Sequence, residues 1–349
     1  MSTCYTIIIQ KRKKSTKLNK KMKFYKKKKP LGLIGQDPDD PRDFKLSELQ
    51  PESVELPQTF DLRSKMSEVS DQNYGSCTAH GATSVKEFWD SKEYGKKINL
   101  SEKFTYYNTK KESGLWDIQG DFLRNAFKAL QKYGAPLLGD YPDTRDDSWK
   151  DYLTEPEREI YELAEKFKAK TYWSVETGLK SLREAIFKNK CPVGTGMRWY
   201  RSYYKEDKNG RLPPPDGDNV GGHAISCVGW TKNKLWFRNS WGTDYGKDGY
   251  FYIPFGEFNQ HDFWNAWIML DEERPEKPDT GWVADSYLKM IKGFNEGDKV
   301  TPTYNLNFRN VPWGTKIDLL KPGDKLEILG ESKRSGNLTW QKVKKIKNN

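Results

Sequence analysis

Cysteine, histidine and long apolar runs are scarce in this chain of 349 residues, and each scarcity excludes something. Cys4, Cys77, Cys191 and Cys227 are too few and too scattered for a disulfide framework. No His/Cys spacing matches a zinc site, so neither a metal nor an organic cofactor is expected. No stretch approaches the roughly 18 apolar residues of a membrane span. Ile7-Ile8-Ile9 is too short for the apolar core of a secretion signal, and a basic block follows it instead of preceding it. A reduced intracellular location, cytoplasmic or nuclear, is the expectation. Hydrophobic residues make up only 35%, but 14% of the chain is aromatic, and large rings build a core from few positions.

Acidic residues are missing from residues 1–36, which hold twelve Lys/Arg, while residues 281–349 hold thirteen against seven acids. The net charge of +11 therefore belongs to the two ends, and the middle is mildly acidic. The run from Lys11 to Lys29 is dense enough in like charge to read as disordered. Its readings are a nuclear-localisation signal, a tether to nucleic acid or an anionic surface, or a solvated leader. A Pro- and Asp-rich stretch, Gln36 to Asp43, follows and reads as an extended lead-in.

Between these ends the pattern is first helical and then stranded. Ala79, Ala82, Val85 and Phe88 recur at helical spacing from Ser76 to about Trp89, which puts Cys77 in a first turn. Further helices read at Ser101 to about Lys111, Asp121 to Tyr133 and Thr177 to Lys188. Strand composition begins at Pro192-Val193-Gly194 and continues at His223–Trp230, Lys234–Arg238 and Gly249–Ile253. A helical half carrying Cys77 thus precedes a sheet half carrying His223 and Asn239, and a cleft between them suits a substrate. Residues 272–279 are charged and proline-containing, and beyond them short strands alternate with turn residues, the rhythm of a small β-barrel. The expected division is a basic tail at 1–30, a lead-in at 31–55, a main domain at 56–272, a linker at 273–280 and a barrel at 281–349.

Four residues carry a coherent chemistry. A thiol attacks carbonyls as thiolate, and a helix N-terminus and a neighbouring imidazolium both favour that form. Cys77 has the first from its local sequence, and His223 would supply the second and protonate a leaving amine. Asn239 would accept from the His223 ring and fix its tautomer. Gln72 would donate its amide to the developing oxyanion beside the Cys77 N–H. Trp241 would shield the His–Asn bond from water. His80, three residues after Cys77, reads as a polar packing residue, and His261, in an aromatic stretch, as structural. Cys191 and Cys227 read as buried free thiols.

The stretches LPQTFDLR, QNYGSCTA, LSEKFTYYN, GDFLRNAFKALQKYGAP, GGHAISCVGW and FRNSWGTDYGKDGYFYI resemble the papain family of cysteine peptidases over about residues 56–270. Cys77 and His223 lie 146 positions apart, within the range of roughly 130–150 for papain-like enzymes. The resemblance implies an α+β, two-lobed fold and an endopeptidase acting on protein or peptide through a Cys77 acyl-enzyme, with His223, Asn239 and Gln72 in their usual parts. It also implies that Gly120, Asp121 and Trp241 line the cleft. Thr78 stands where the family has an aromatic residue, Tyr245 where a Trp is common, and Gln72 lies one residue nearer to the nucleophile than usual. Gly-Ser-Cys-Thr-Ala is closer to prokaryotic and viral-type relatives, which adds packaging in a virion as a location. No long helical inhibitory segment is visible before residue 56, so activation by removing one is not expected. Leu306-Asn307-Phe308-Arg309, Pro312-Trp313-Gly314 and Trp340-Gln341-Lys342-Val343 resemble a bacterial-type SH3-like barrel, which implies an all-β appendage with a cell-wall or protein ligand. That ligand leaves a peptidoglycan or isopeptide hydrolase as an alternative, beside an inactive papain-fold binding protein.

Overall fold

Glycines and serines punctuate the helical half as the sequence leads one to expect. After a short α1 (Leu46–Leu49) and an edge strand β1 (Thr59–Asp61), the long α2 (Cys77–Tyr94) runs until Gly95 takes the left-handed conformation at φ 65°. α3 (Glu102–Ser113) starts where the Ser101 side chain accepts from the Phe104 N–H, and α4 (Leu123–Tyr133) closes before Gly134. The structure is a computed structural model that describes residues 29–41, 43–144, 147–205, 207–270, 280–284, 296–302, 306–309, 316–335 and 338–346. The basic run up to Lys28 and most of the expected linker lie outside the described residues.

Two short helices, α5 (Trp149–Tyr152) and α6 (Arg158–Ala164), lead to β2 (Thr171–Ser174) and α7 (Leu179–Asn189). The sheet half then unrolls as β3 (Val193–Tyr200), β4 (Asn219–Thr231), β5 (Lys234–Arg238), β6 (Tyr250–Pro254) and β7 (Phe263–Leu270). These strands form an antiparallel sheet in the order β2-β7-β3-β4-β5-β6, with β1 added on β4. Register places Met197 opposite His223 and Gly196 opposite Ala224. β3 is central and buried along Val193–Met197, but Gly194, Thr195 and Gly196 interrupt its apolar run, so only its start showed as a strand.

Helix α2 lies between the other helices and the sheet, so nearly all of it is buried rather than one face. Its Ala79, Ala82 and Val85 are fully enclosed, and Ser84 meets Ser226 of β4 hydroxyl to hydroxyl. Phe104, Phe127, Trp230 and Phe237 fill the core on either side, each worth roughly 1.5–3 kcal/mol of burial. Cys191 and Cys227 are free and buried in that core, as expected.

The C-terminal strands β8 (Thr280–Ala284), β9 (Lys299–Val300), β10 (Leu306–Arg309), β11 (Lys316–Leu320), β12 (Leu326–Ser335) and β13 (Leu338–Lys345) make a second antiparallel sheet. Its order is β11-β10-β8-β13-β12-β9, and Val283, Phe308, Leu320, Ile328 and Val343 form a core of its own. Strand β8 begins at Thr280, inside the expected linker, because its backbone pairs with β13 from Thr280 opposite Lys344 onward.

Candidate active site

Cys77 opens α2, and its sulfur accepts from the Ala224 N–H at 3.3 Å, which ties the helix start to β4. His223 precedes Ala224 on the same strand. Its Nε2 lies 2.8 Å from Asn239 Oδ1, and Asn239 follows directly on β5. Nδ1 of His223 has no partner among the described residues and is the nitrogen left for the nucleophile. The Trp241 ring stacks on the imidazole at 4.4 Å, and Trp199, which sequence reasoning missed, meets it edge-on at 4.8 Å. These rings enclose the His–Asn pair.

Gln72 reaches the same place in spite of its short spacing. Its N–H donates to the Ser240 carbonyl at 2.9 Å, and its side-chain Oε1 accepts from the Ser240 hydroxyl, so the Asn239-Ser240-Trp241 turn holds it. Its amide Nε2 donates to the carbonyls of Tyr74 at 2.9 Å and Pro30 at 3.1 Å. Gly120 and Asp121 form the opposite rim. Lys110, fully buried, donates to the carbonyls of Leu115 and Ile118 at 2.8 Å each and to that of Gly120, and faces the Asp121 carboxylate at 3.6 Å. Tyr106 accepts from the Gly120 N–H at 2.8 Å, so this rim is fixed from inside.

The segment ahead of the main domain lies in the site without being helical. Residues 30–37 run extended through the cleft. Asp121 donates to the Gly32 carbonyl at 2.8 Å and accepts from Ile34 at 3.2 Å, while Leu33 donates to the Gly222 carbonyl at 3.1 Å. Trp241 Nε1 joins Gln72 on the Pro30 carbonyl at 3.1 Å. A Cβ on Gly32 would lie 1.9 Å from the Gly75 carbonyl oxygen, so only glycine approaches this closely. Leu33, 3% exposed, fills a pocket over Gly196 and Gly222. Beyond it Asp37 accepts from Trp267 Nε1 at 2.6 Å and from the Arg124 N–H at 3.2 Å. An extended strap is held by backbone groups and needs no helical periodicity, so a search for a helical segment passes over it. The available signal was the small apolar island Leu31, Leu33 and Ile34 between the lysine run and the acidic stretch.

Covered in this way, the pair is neutral. Burial pushes the Cys77 thiol up to about 11, against the opposing N–H groups of Ala224, Gly32, Leu33 and Thr78. Burial also takes His223 down to about 3, although the Asn239 bond favours its charged form. His80 points away from the cleft: its Nδ1 lies 2.8 Å from Ser70 Oγ and 3.3 Å from Glu102. His261 pairs with the Tyr203 hydroxyl at 2.7 Å inside the sheet half, as a structural histidine would. Among the described residues no group of His, Cys, Asp and Glu could hold a metal ion, and no helix is long and apolar enough to cross a membrane.

A two-lobed α+β fold with a thiol at a helix start, bonded to the strand residue next to an Asn-paired imidazole, defines the class of thiol hydrolases. The profile described as papain family cysteine protease matches residues 56–266, and the chain belongs to that family. It is 28% identical over 231 residues to an uncharacterised peptidase C1-like protein of Acanthamoeba polyphaga mimivirus, covering 59% of this chain and 73% of that protein. It is 27% identical over 213 residues to procathepsin L of Felis catus, covering 56% of this chain and 60% of the relative. Xylellain, a cysteine protease from Xylella fastidiosa, superposes with a TM-score of 0.59 at 26% identity, over 70% of this chain and 96% of that one.

Proposed function

We propose that the chain is a cysteine endopeptidase held in a latent state by its own residues 30–37. The observation that carries this reading is the strap itself: the cleft binds an extended polypeptide along both rims, with a carbonyl on the Gln72 amide. Peptide hydrolysis needs the same arrangement. With the strap gone, water re-enters, the desolvation that keeps Cys77 and His223 neutral falls away, and a thiolate–imidazolium pair becomes accessible. The Cys77 sulfur would then attack the substrate carbonyl, and the oxyanion would take the Gln72 amide and the Cys77 N–H. His223 would pass its proton to the leaving amine, and water would release the acyl group. Asn239 would keep the ring in the tautomer that these transfers use.

Leu33 marks the substrate side chain that fits best. Its pocket is formed against two glycines, and Leu33 is almost fully enclosed in it, which favours a branched aliphatic residue of that size. We assign the main catalytic unit to residues 56–272 and treat the C-terminal sheet as an SH3-like appendage that positions a ligand or partner. An epoxide-type thiol inhibitor should label Cys77 once the strap is displaced, and His223→Ala should abolish the labelling. Absence of labelling in folded, strap-displaced protein would favour an inactive binding protein instead.

A further inference from the structure

His80 is a buried imidazole that the hydrolytic reading leaves unused, and it lies one layer behind the catalytic pair. A small cavity of about 10 Å3 separates it from Asn239, lined also by Ser84, Ser226 and Arg238. Three of these residues carry buried polar atoms with no partner among the described residues: His80 Nε2, Arg238 Nε and Asn239 Nδ2. All three residues are at most 4% exposed. We propose that this cavity is a site for one water molecule, and that His80 acts through that water to fix the amide orientation of Asn239.

Donor and acceptor identities select the occupant. Arg238 Nε and Asn239 Nδ2 can only donate. Burial pushes the Glu102 carboxyl up, but His80 and the Ser70 hydroxyl outweigh it and hold Glu102 below its ordinary value. In its neutral form the imidazole gives its Nδ1 proton to the carboxylate 3.3 Å away, which leaves Nε2 as an acceptor. The occupant must therefore accept twice and donate at least once. A halide only accepts and an ammonium only donates, whereas water does both and has a hydroxyl of Ser84 or Ser226 for its second proton. The volume is that of one water.

The consequence reaches the reaction, and so the inference rests on His223 and Asn239 being the catalytic pair. Asn239 Oδ1 serves both His223 Nε2 at 2.8 Å and the Ser240 N–H at 2.7 Å. A flipped amide would set its NH2 against both donors. A water that takes the Arg238 Nε–H and gives its two protons to His80 Nε2 and a serine hydroxyl has room only for the NH2 of Asn239, which excludes the flip. His80 is thus a positioning residue, since it touches neither substrate nor the reacting atoms. Asp143 also lies near its ring, away from the cavity lining.

A high-resolution crystal structure of the full chain tests the site without reference to activity. The expected result is a single ordered water bonded to His80 Nε2, Arg238 Nε and Asn239 Nδ2. An empty cavity, or anomalous density there after a bromide soak, overturns the proposal. Activity supplies the second arm, measured in a Gly32→Ala background so that the strap is displaced. His80→Phe, which fills the cavity, should lower kcat about tenfold at unchanged KM, and His80→Gln should restore most of it. In an Asn239→Ala background His80→Phe should cost nothing further, and an additive loss would show that His80 acts elsewhere. If the strap-displaced protein neither hydrolyses peptides nor labels at Cys77, the peptidase reading fails while the water site is still judged by the structure.

Discussion

The two walls of the cleft are held by opposite chemistry. The helical wall is braced by buried polar groups: Lys110 on three carbonyls and Asp121, Glu102 on His80, and Arg238 of the sheet on Glu87 of α2 at 3.4 Å. The sheet wall is braced by rings, with Trp199, Tyr204 and Tyr245 packed around Trp241 and His223. The difference follows the task of each wall. Asp121 aims both its backbone groups at the strap, and hydrogen bonds fix direction. His223 must stay dry and upright, and rings exclude water without offering a competing partner.

Breaking the sheet wall at its centre has the largest expected effect. His223→Ala in strap-displaced protein should lower kcat/KM for a peptide by roughly a thousandfold or more, with the circular dichroism spectrum unchanged. Retained hydrolysis would remove His223 from the chemistry. The matching break in the helical wall is Lys110→Met, which leaves the Asp121 carboxyl buried without its cation. Urea denaturation should show a loss of about 3–5 kcal/mol, only part of it recovered when Asp121→Asn is added, because the carbonyls of Leu115, Ile118 and Gly120 stay without Lys110. A loss below about 1 kcal/mol would mean that the wall does not depend on this pair.

Gly32→Ala alters no residue of either wall and loosens what lies between them. Overpacking of this kind costs about 1–3 kcal/mol, so the open form should gain one to two orders of magnitude in population. Alkylation of Cys77 by iodoacetamide at neutral pH should speed up accordingly, and its pH midpoint should fall from about 11. An unchanged rate would mean that the strap does not limit access.

The smallest effect is a pH dependence at the outer anchor. Burial raises Asp37 to about 6 from an ordinary 3.8, against its bonds from Trp267 and Arg124. The folded protein therefore holds this proton more tightly than the unfolded chain, and the contribution is present below about 3.8 and lost as pH rises through 6. His223 has the opposite sign: its contribution is full above 6.5 and is lost as pH falls towards 3. Asp37→Asn removes only the first term. The melting temperature of the variant relative to the parent should rise between pH 4 and pH 6, and a flat difference would show that Asp37 does not titrate there.

Most of the site was legible because its residues carry strong local context. Cys77 follows a glycine turn into a helix, and Asn239-Ser240-Trp241-Gly242 ends a strand with an unusual turn. Gln72 could be singled out but not its setting, since the spacing to Cys77 says nothing about the Ser240 contact that holds it. The strap was missed because its grip is made by backbone groups, which leave no side-chain pattern. Trp199 was invisible because it acts across a large sequence separation, on His223 and Trp241, whereas Lys110 lies close in sequence to the groups it serves but reads as a solvated lysine of a polar helix. In the second sheet β9, β10, β12 and β13 could be read, whereas β8 was hidden by its proline-rich approach.

Lys110 also fixes how the protein responds to its surroundings. The Gly120 rim is tied by an ammonium rather than by sulfur, and Cys77, Cys191 and Cys227 are all unpaired. The reductant that keeps a thiol nucleophile alive therefore has no bond to cut in the catalytic unit. Shape and reactivity are governed by separate chemistries here, and the cleft keeps its form at any redox potential that leaves Cys77 reduced.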